Sequence, residues 1–352
     1  MRRPLGLVLR DLLPPAGPRD LLPAATMVEL AALADRLGYD SVWVPEGRGR
    51  EALTMVAAMA GGTRRSRLAT GIVPVFSRPP ALVAMAAATL ADLTGGRFVL
   101  GLGAGHPAVV EAGYGLRYRE PLRAVREFVA IVRAALAGET VRHDGRVFQV
   151  QDFQLESRPR HAVPIYLAAL GEGMLRAAGE IADGVILNWI PAARVRWAVE
   201  VVREAARLAG RDQARVQVVC YVRIAVTGQP DGAWAVLRRL AATYAAMPAY
   251  ARAFEAAGFV DEMQAMTTAW ARGGVDAAAN AAASDFVASL GVVGSAGECI
   301  EGLDRYYASG VDLVAAYPFP VDSDAAGTMR ATIEALGAAA YNGNARGRLA
   351  QG

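Results

Sequence analysis

The stretch "RFVLGLGAGHPAVV" (Arg97–Val110) places Gly101, Gly103 and Gly105 on alternate positions directly before His106. An imidazole titrates near pH 6.5 when unperturbed, so this side chain can give or take a proton at neutral pH. A dinucleotide loop would read G-x-G-x-x-G, with an acidic residue about twenty positions on for the ribose. Here the third glycine comes one residue early, and the acid is missing from its usual place. The stretch therefore reads as the end of a strand and the rim of a pocket.

Three other stretches can carry chemistry. Glu46 ends an apolar run in "VWVPEG". Its carboxylate either caps the next helix or faces a pocket, where it would position a ring N–H or a substrate hydroxyl. "AALGEGMLR" (Ala168–Arg176) opens a helix straight after an apolar run. Free N–H groups at such a start bind anions, and Gly171 and Gly173 let a phosphate come close, although an ordinary tight turn has the same text. In "ATGIVPVFSRPP" (Ala69–Pro80) a strand runs into Gly71-Ile72-Val73 and soon meets Pro74, Pro79 and Pro80. A regular ladder cannot continue there, so a bulge is expected.

Other chemistries are excluded. All 37 basic residues are arginine, which rules out lysine Schiff-base and P-loop chemistry. There is no G-x-S-x-G. His106, His143 and His161 are scattered, and Cys220 and Cys299 follow no metal spacing, so no metal is expected and a reducing cytoplasm is the expected compartment. His143 and His161 read as structural. The net charge of +3 comes without a basic stripe, which argues against nucleic acid. No apolar window reaches the roughly 18 residues of a membrane span, and "MRRPLGLVLRDLLPP" reads as a first strand rather than a signal peptide.

The elements that must position these residues follow one rhythm. Apolar runs at Leu5–Leu9, Ser41–Val44, Leu68–Val75 and Phe98–Gly103 each precede a helical pattern. Four more follow at Pro164–Leu170, Gly184–Asn188, Val216–Val226 and Val311–Pro320. Eight such units predict an α/β fold, a closed (β/α)8 TIM barrel. "GETVRHDGRVFQV" predicts a hairpin turning at Asp144-Gly145, inserted after the fourth strand. A helical insertion is expected before the eighth. The chain is expected to form one domain over 1–352, with insertions at about 138–160 and 230–292. In such a barrel the chemistry sits where the strands end, which points to Glu46, Gly71–Val73, Gly103–His106, Ala168–Glu172, Asn188, Trp189 and Tyr317.

Together these stretches resemble the bacterial luciferase-like superfamily, and within it the coenzyme F-420-dependent oxidoreductases of the methylenetetrahydromethanopterin reductase type. The resemblance is carried by "LGYDSVWVPE", "RLATGIVPVFSRPP", "ATLADLTGGRFVLGLGAG", "PIYLAALGEGMLRAAGEIADGVILN" and "GSAGECIEGLDRYYASGVD". It implies a deazaflavin ring across the C-terminal mouth, backed by a bulge with a non-prolyl cis peptide, a place held here by Gly71-Ile72. It also implies coenzyme contacts at Val73 and Gly103, a phosphate tail along Ala168, Ala169, Leu170, Gly171 and Glu172, and a further contact at Asn188. His106 falls where relatives place an acid near the reactive carbon.

Two departures stand out. Gly47 replaces the histidine that relatives often carry after the acid, and Arg78-Pro79-Pro80 replaces arginine-histidine-proline. The expected function is hydride transfer between coenzyme F-420 and an organic substrate, with Glu46 and His106 handling the accompanying proton. The alternatives are an FMN-dependent monooxygenase using reduced flavin and oxygen, and a flavin-binding protein without turnover. Trp189, Tyr317, Phe76 and Arg78 are expected to approach the substrate, and relatives of this type suggest a homodimer.

Overall fold

A computed structural model of the chain describes residues 3–10 and 22–349, with side chains described as far as 338. The first half holds β1 (Leu5–Val8), α1 (Ala24–Arg36), β2 (Ser41–Val44), α2 (Ala52–Ala60), β3 (Arg67–Thr70), β4 (Val73–Pro74), α3 (Pro80–Leu93), β5 (Phe98–Gly103) and α4 (Pro121–Leu136). A hairpin of β6 (Val141–Asp144) and β7 (Gln149–Phe153) follows, then β8 (Ile165–Ala168), α5 (Glu172–Ile181), β9 (Gly184–Asn188), α6 (Ala192–Leu208) and β10 (Gln217–Val226). The insertion comprises α7 (Pro230–Ala245), α8 (Pro248–Glu255), α9 (Val260–Ala281) and α10 (Ser284–Ala288). Last come β11 (Gly291–Gly294), α11 (Ala296–Ala308), β12 (Leu313–Pro318) and α12 (Ala325–Leu349).

The parallel strands run β12-β1-β2-β3-β5-β8-β9-β10, and β10 pairs with β12 to close the ring. The chain folds as a (β/α)8 barrel. Period-two alternation sends one set of side chains outward, where Leu7, Val42, Leu100, Val185 and Val222 meet the helices in the main core. The other set fills the interior: Val8, Trp43, Ala69, Val99, Tyr166, Ile186, Val219, Tyr221, Ala315 and Tyr317. The rings of Trp43, Tyr166 and Tyr221 plug it, with Trp43 5.7 Å from Tyr166 and 5.9 Å from Tyr221. A cavity of about 490 Å³ opens below this plug among Ser41, Arg67, Tyr166 and Gln217, at the N-terminal ends of the strands.

The expected bulge is present, and two other details depart from the sequence reading. The third strand splits, because between Ala69↔Val99 and Val73↔Leu102 one strand advances four residues and its partner three. This is the expected bulge. The Thr70 hydroxyl bridges the interruption, donating to Gly101 O at 2.8 Å and accepting from Gly101 N at 2.9 Å. The hairpin turns over 145–148 rather than at Asp144-Gly145. Glu127 on α4 gathers the N–H groups of Arg146, Val147 and Phe148, and this holds a wider loop.

The insertion also ends in a strand that the reading did not foresee. Once β9 stops at Asn188, the upper edge of β10 is unpaired, and β11 fills it from Arg223↔Gly291 to Val226↔Gly294. The insertion helices pack their own core, including Leu237, Phe254, Met263 and Phe286, against Trp189, Ala225 and Phe319 at the barrel mouth.

Candidate active site at the C-terminal mouth of the barrel

The bulge forms one wall of the mouth. Its Gly71-Ile72 peptide is cis. Gly71 N donates to Val44 O at 2.8 Å and Glu46 N to Ile72 O at 3.2 Å, which fastens the bulge to the end of β2. Glycine is required at 71, because a Cβ there would lie 2.0 Å from the Tyr221 hydroxyl. That hydroxyl is buried and meets no partner among the described residues, and burial pushes its pKa well above 10. At Gly103 a Cβ would come within 3.1 Å of Ile72 and 3.2 Å of Ala168. Gly71, Ile72, Gly103 and Ala168 thus adjoin as an apolar shelf, whereas the Val73 side chain, expected to touch the coenzyme, is buried in the core between strands and helices.

Next to the shelf, Gly171 precedes α5 with no side-chain cap, and while Met174 N donates to Gly171 O at 3.1 Å, the N–H groups of Glu172 and Gly173 at the start of α5 stay available. Ala169 N donates to Ile186 O at 3.2 Å, Leu170 leans on the insertion core, and Glu172 pairs with Arg176 at 2.7 Å.

Glu46 is nearly sealed, with 5% of its side chain exposed. Its Oε1 and Oε2 accept from Nη1 and Nη2 of Arg78, both at 2.7 Å, and Oε2 also accepts from Ala52 N at 3.1 Å as α2 begins. Arg78 also reaches Glu51, the side-chain cap of α2. Burial alone would pull the Arg78 pKa down, but the hydrogen bonds and charges of Glu46 and Glu51 raise it. Glu46→Gln removes one charge from this fork and should lower the unfolding free energy by about 1–3 kcal/mol. Urea denaturation at constant m-value reads this, and unchanged stability would show that the fork does not hold the end of β2.

His106 follows β5, and its carbonyl accepts from Val109 and Val110 N–H, starting a π-helical turn at Ala108–Gly113. Its ring lies 5.5 Å from that of Tyr250. Burial, with a smaller push from Arg10, lowers its pKa below 6.5. From the same segment the Tyr114 hydroxyl donates to Gly47 O at 2.7 Å, and Tyr118 stacks 5.0 Å from Phe76. At Gly47 the space for a side chain is taken, since a Cβ would meet Arg10 Nη2 at 3.2 Å. A guanidinium from the end of β1 thus lies beside the position where the resemblance led us to look for an imidazole.

The sequence signature of the luciferase-like monooxygenase family matches residues 10–313. The chain belongs to that family. A 5,10-methylenetetrahydromethanopterin reductase from Methanolobus tindarius is 33% identical over 200 residues, 56% of this chain and 61% of that protein. The reductase of the same name from Archaeoglobus fulgidus is 28% identical over 291 residues, 81% of this chain and 86% of that protein. A putative coenzyme F420-dependent oxidoreductase from Mycobacterium tuberculosis is 36% identical over 182 residues, covering 48% of this chain and 51% of that protein. The match therefore spans less than two thirds of the Methanolobus and Mycobacterium proteins.

Among solved structures, a coenzyme F420-dependent tetrahydromethanopterin reductase from Methanopyrus kandleri superposes with a TM-score of 0.79 at 22% identity, over 96% of this chain and 98% of that one. An EDTA monooxygenase from Chelativorans reaches 0.71 at 16% identity, over 98% and 95%. These two share the fold.

In this luciferase-like chain, most residues singled out from sequence meet at one mouth, but the side chains of Glu46, Asn188 and Glu172 are already engaged. Glu46 is held by Arg78 and Ala52. Asn188 donates through Nδ2 to the Tyr250 hydroxyl at 3.0 Å and accepts through Oδ1 from Arg223 Nη1 at 2.5 Å. Sequence reasoning missed Arg10, Arg223, Tyr244 and Tyr250. Arg223 could have been found, since a lone charge inside "VVCYVRIAV" has to be explained. The two tyrosines lie on insertion helices whose docking no local pattern reveals.

Proposed function

We propose that this protein uses the deazaflavin coenzyme F-420 to move a hydride to or from a small organic substrate. The observation that carries the reading is the apolar shelf of Gly71, Ile72, Gly103 and Ala168 beside the uncapped start of α5. The shelf fits one face of a flat ring, and the free N–H groups suit a phosphate tail. When bound, the coenzyme supplies a carbon that accepts or returns a hydride. The names of the matched reductases support the choice of coenzyme.

In this reading His106 takes or returns the proton that accompanies the hydride, because its depressed pKa keeps the imidazole neutral and receptive at working pH. Glu46 was expected to share that task. With both oxygens accepting hydrogen bonds, it is instead a positioning residue that fixes Arg78 and the end of β2. Asn188 likewise acts by orienting Tyr250 and Arg223 rather than by a free amide.

The runner-up is an FMN-dependent monooxygenase, favoured by the shared fold of the EDTA monooxygenase. The third reading, binding without turnover, loses ground because Arg10 refills the space over Gly47. Among the described residues no helix is long and apolar enough to cross a membrane. A cytoplasmic homodimer completes the proposal, and the outward face of α3, with Leu82, Met85 and Leu93 exposed, is one surface a second copy would cover.

Titration with oxidised coenzyme F-420 and separately with FMN, read by fluorescence, tests the reading. Saturable binding of the deazaflavin at lower concentration than FMN is the expected result. Preference for FMN, with oxygen uptake in the presence of reduced flavin, would transfer the assignment to the monooxygenase.

A further inference from the structure

The interior alternation continues upward into the mouth. Two residues past Val8 stands Arg10, two past Tyr221 stands Arg223, and two past Ile186 stands Asn188. Two guanidinium groups therefore converge above the aromatic plug. Arg223 is 3% exposed, with its guanidinium carbon 4.0 Å from the Tyr317 ring and 4.2 Å from Trp189. Arg10 donates to the Tyr244 hydroxyl at 3.0 Å. The two cations share neighbours, for Arg223 also lies 5.8 Å from the Tyr244 ring, and Tyr317 is a hydrogen-bond partner of Arg10.

Among the described residues no carboxylate answers them. Arg78, Arg126, Arg203 and Arg211 each pair with an acid, but among the described residues neither Arg10 nor Arg223 does. The charges they feel come from tyrosines and from each other. Aromatic faces satisfy the flat sides of Arg223, and Asn188 takes one N–H, while its Nε and Nη2 meet no acceptor among the described residues. Burying a cation without a counter-charge is unfavourable, and burying two side by side is more so.

The surroundings hold the pair in place. Trp189 sits at φ +52°, a left-handed conformation that bulky side chains rarely adopt, and so keeps its indole under Arg223. The two cations outweigh the desolvation that would raise the Tyr244 phenol and bring its pKa below 10. Together they make a positively charged cluster held by aromatic side chains.

We propose that Arg10 and Arg223 form an oxyanion subsite, so that the substrate enters as a carboxylate or a phosphoryl ester gripped by their free N–H edges. The inference deepens the reading above, on which it rests for the presence of substrate at this mouth. The coenzyme tail is served elsewhere: the uncapped start of α5 follows β8, whereas Arg10 follows β1, and Arg223 and Tyr317 stand on β10 and β12.

The test uses the full chain without coenzyme, so its result does not depend on which flavin binds. Fluorine NMR would follow 4-fluorobenzoate and the neutral 4-fluorobenzamide at constant ionic strength, with inorganic phosphate as competitor. The acid should saturate where the amide does not, and Arg10→Gln and Arg223→Gln should each weaken it about tenfold or more. Displacement by phosphate assigns a phosphoryl group, and resistance to displacement assigns a carboxylate. Equal binding of acid and amide, unchanged affinity in both variants, or no binding of either anion overturns the proposal.

Circular dichroism melts would check folding, and Arg10→Gln, at the rim, serves if Arg223→Gln does not fold. Coenzyme F-420 titration of Arg10→Gln separates the remaining case. Loss of coenzyme affinity with the acid still bound as in wild type would assign these arginines to the coenzyme instead.

Discussion

Gly71→Ala should lower the unfolding free energy by about 2–3 kcal/mol, as expected when a methyl is forced into a closed core. The new Cβ would sit 2.0 Å from the Tyr221 hydroxyl, 3.1 Å from its Cζ and 3.5 Å from Trp43 Cβ. Tyr221 has little room to retreat, being 4% exposed and packed 5.9 Å from Trp43 and 6.2 Å from Tyr317. Tyr221→Phe deletes the clashing atom, and since that hydroxyl has no partner among the described residues, its removal should be neutral or slightly stabilising.

In the Tyr221→Phe background the alanine should therefore cost at least about 1 kcal/mol less, a coupling that a double-mutant cycle measures directly. Urea denaturation of the four proteins at equal m-values is the experiment. Equal cost in both backgrounds would show that close approach is not why glycine stands at 71. Because Gly71 belongs to the apolar shelf, its replacement should also weaken coenzyme binding.

The second large effect is on turnover. His106→Ala should reduce the chemical step about a hundredfold or more, the range of a general acid–base residue, while coenzyme affinity changes little. His106→Gln should behave alike, because it keeps a polar side chain but cannot titrate. In the direction that removes a hydride from substrate the imidazole must be neutral, so the rate should fall as pH drops below 6.5 through the depressed pKa.

Burial is the larger cause of that depression and Arg10 the smaller, so Arg10→Gln should move the inflection upward, toward 6.5. Stability has the same sign. The unfolded chain binds this proton more readily than the folded one, so the contribution is whole above pH 6.5 and declines as pH falls toward the folded value. A pH profile of His106→Ala that matches wild type would remove the residue from the mechanism.

Much of the frame was open to sequence. Strand patterning is local: alternation and apolar runs at Val42–Val44, Phe98–Gly103 and Gly184–Asn188 depend only on near neighbours, and eight such units closed as expected. Gly71, followed by proline-rich text, announced the bulge for the same reason, and the absence of lysine settled what chemistry was out of reach. β11 escaped because four residues, "GVVG", carry too little pattern. It exists because β10 outruns β9 and leaves an edge to be paired.

The occupants of the mouth were decided by tertiary structure alone. Glu46 is a strand-end acid in sequence, but its partner Arg78 arrives from beyond the bulge. Gly47 reads as a loss until Arg10 folds across it, and Tyr244 and Tyr250 reach the site through an insertion packed on the barrel rim. Periodicity fixes which way a side chain points along its own strand. Which charges then meet, and whether they find a counter-charge, depends on contacts between distant segments, such as Arg10 with Tyr244 and Tyr317, set only when the barrel closes.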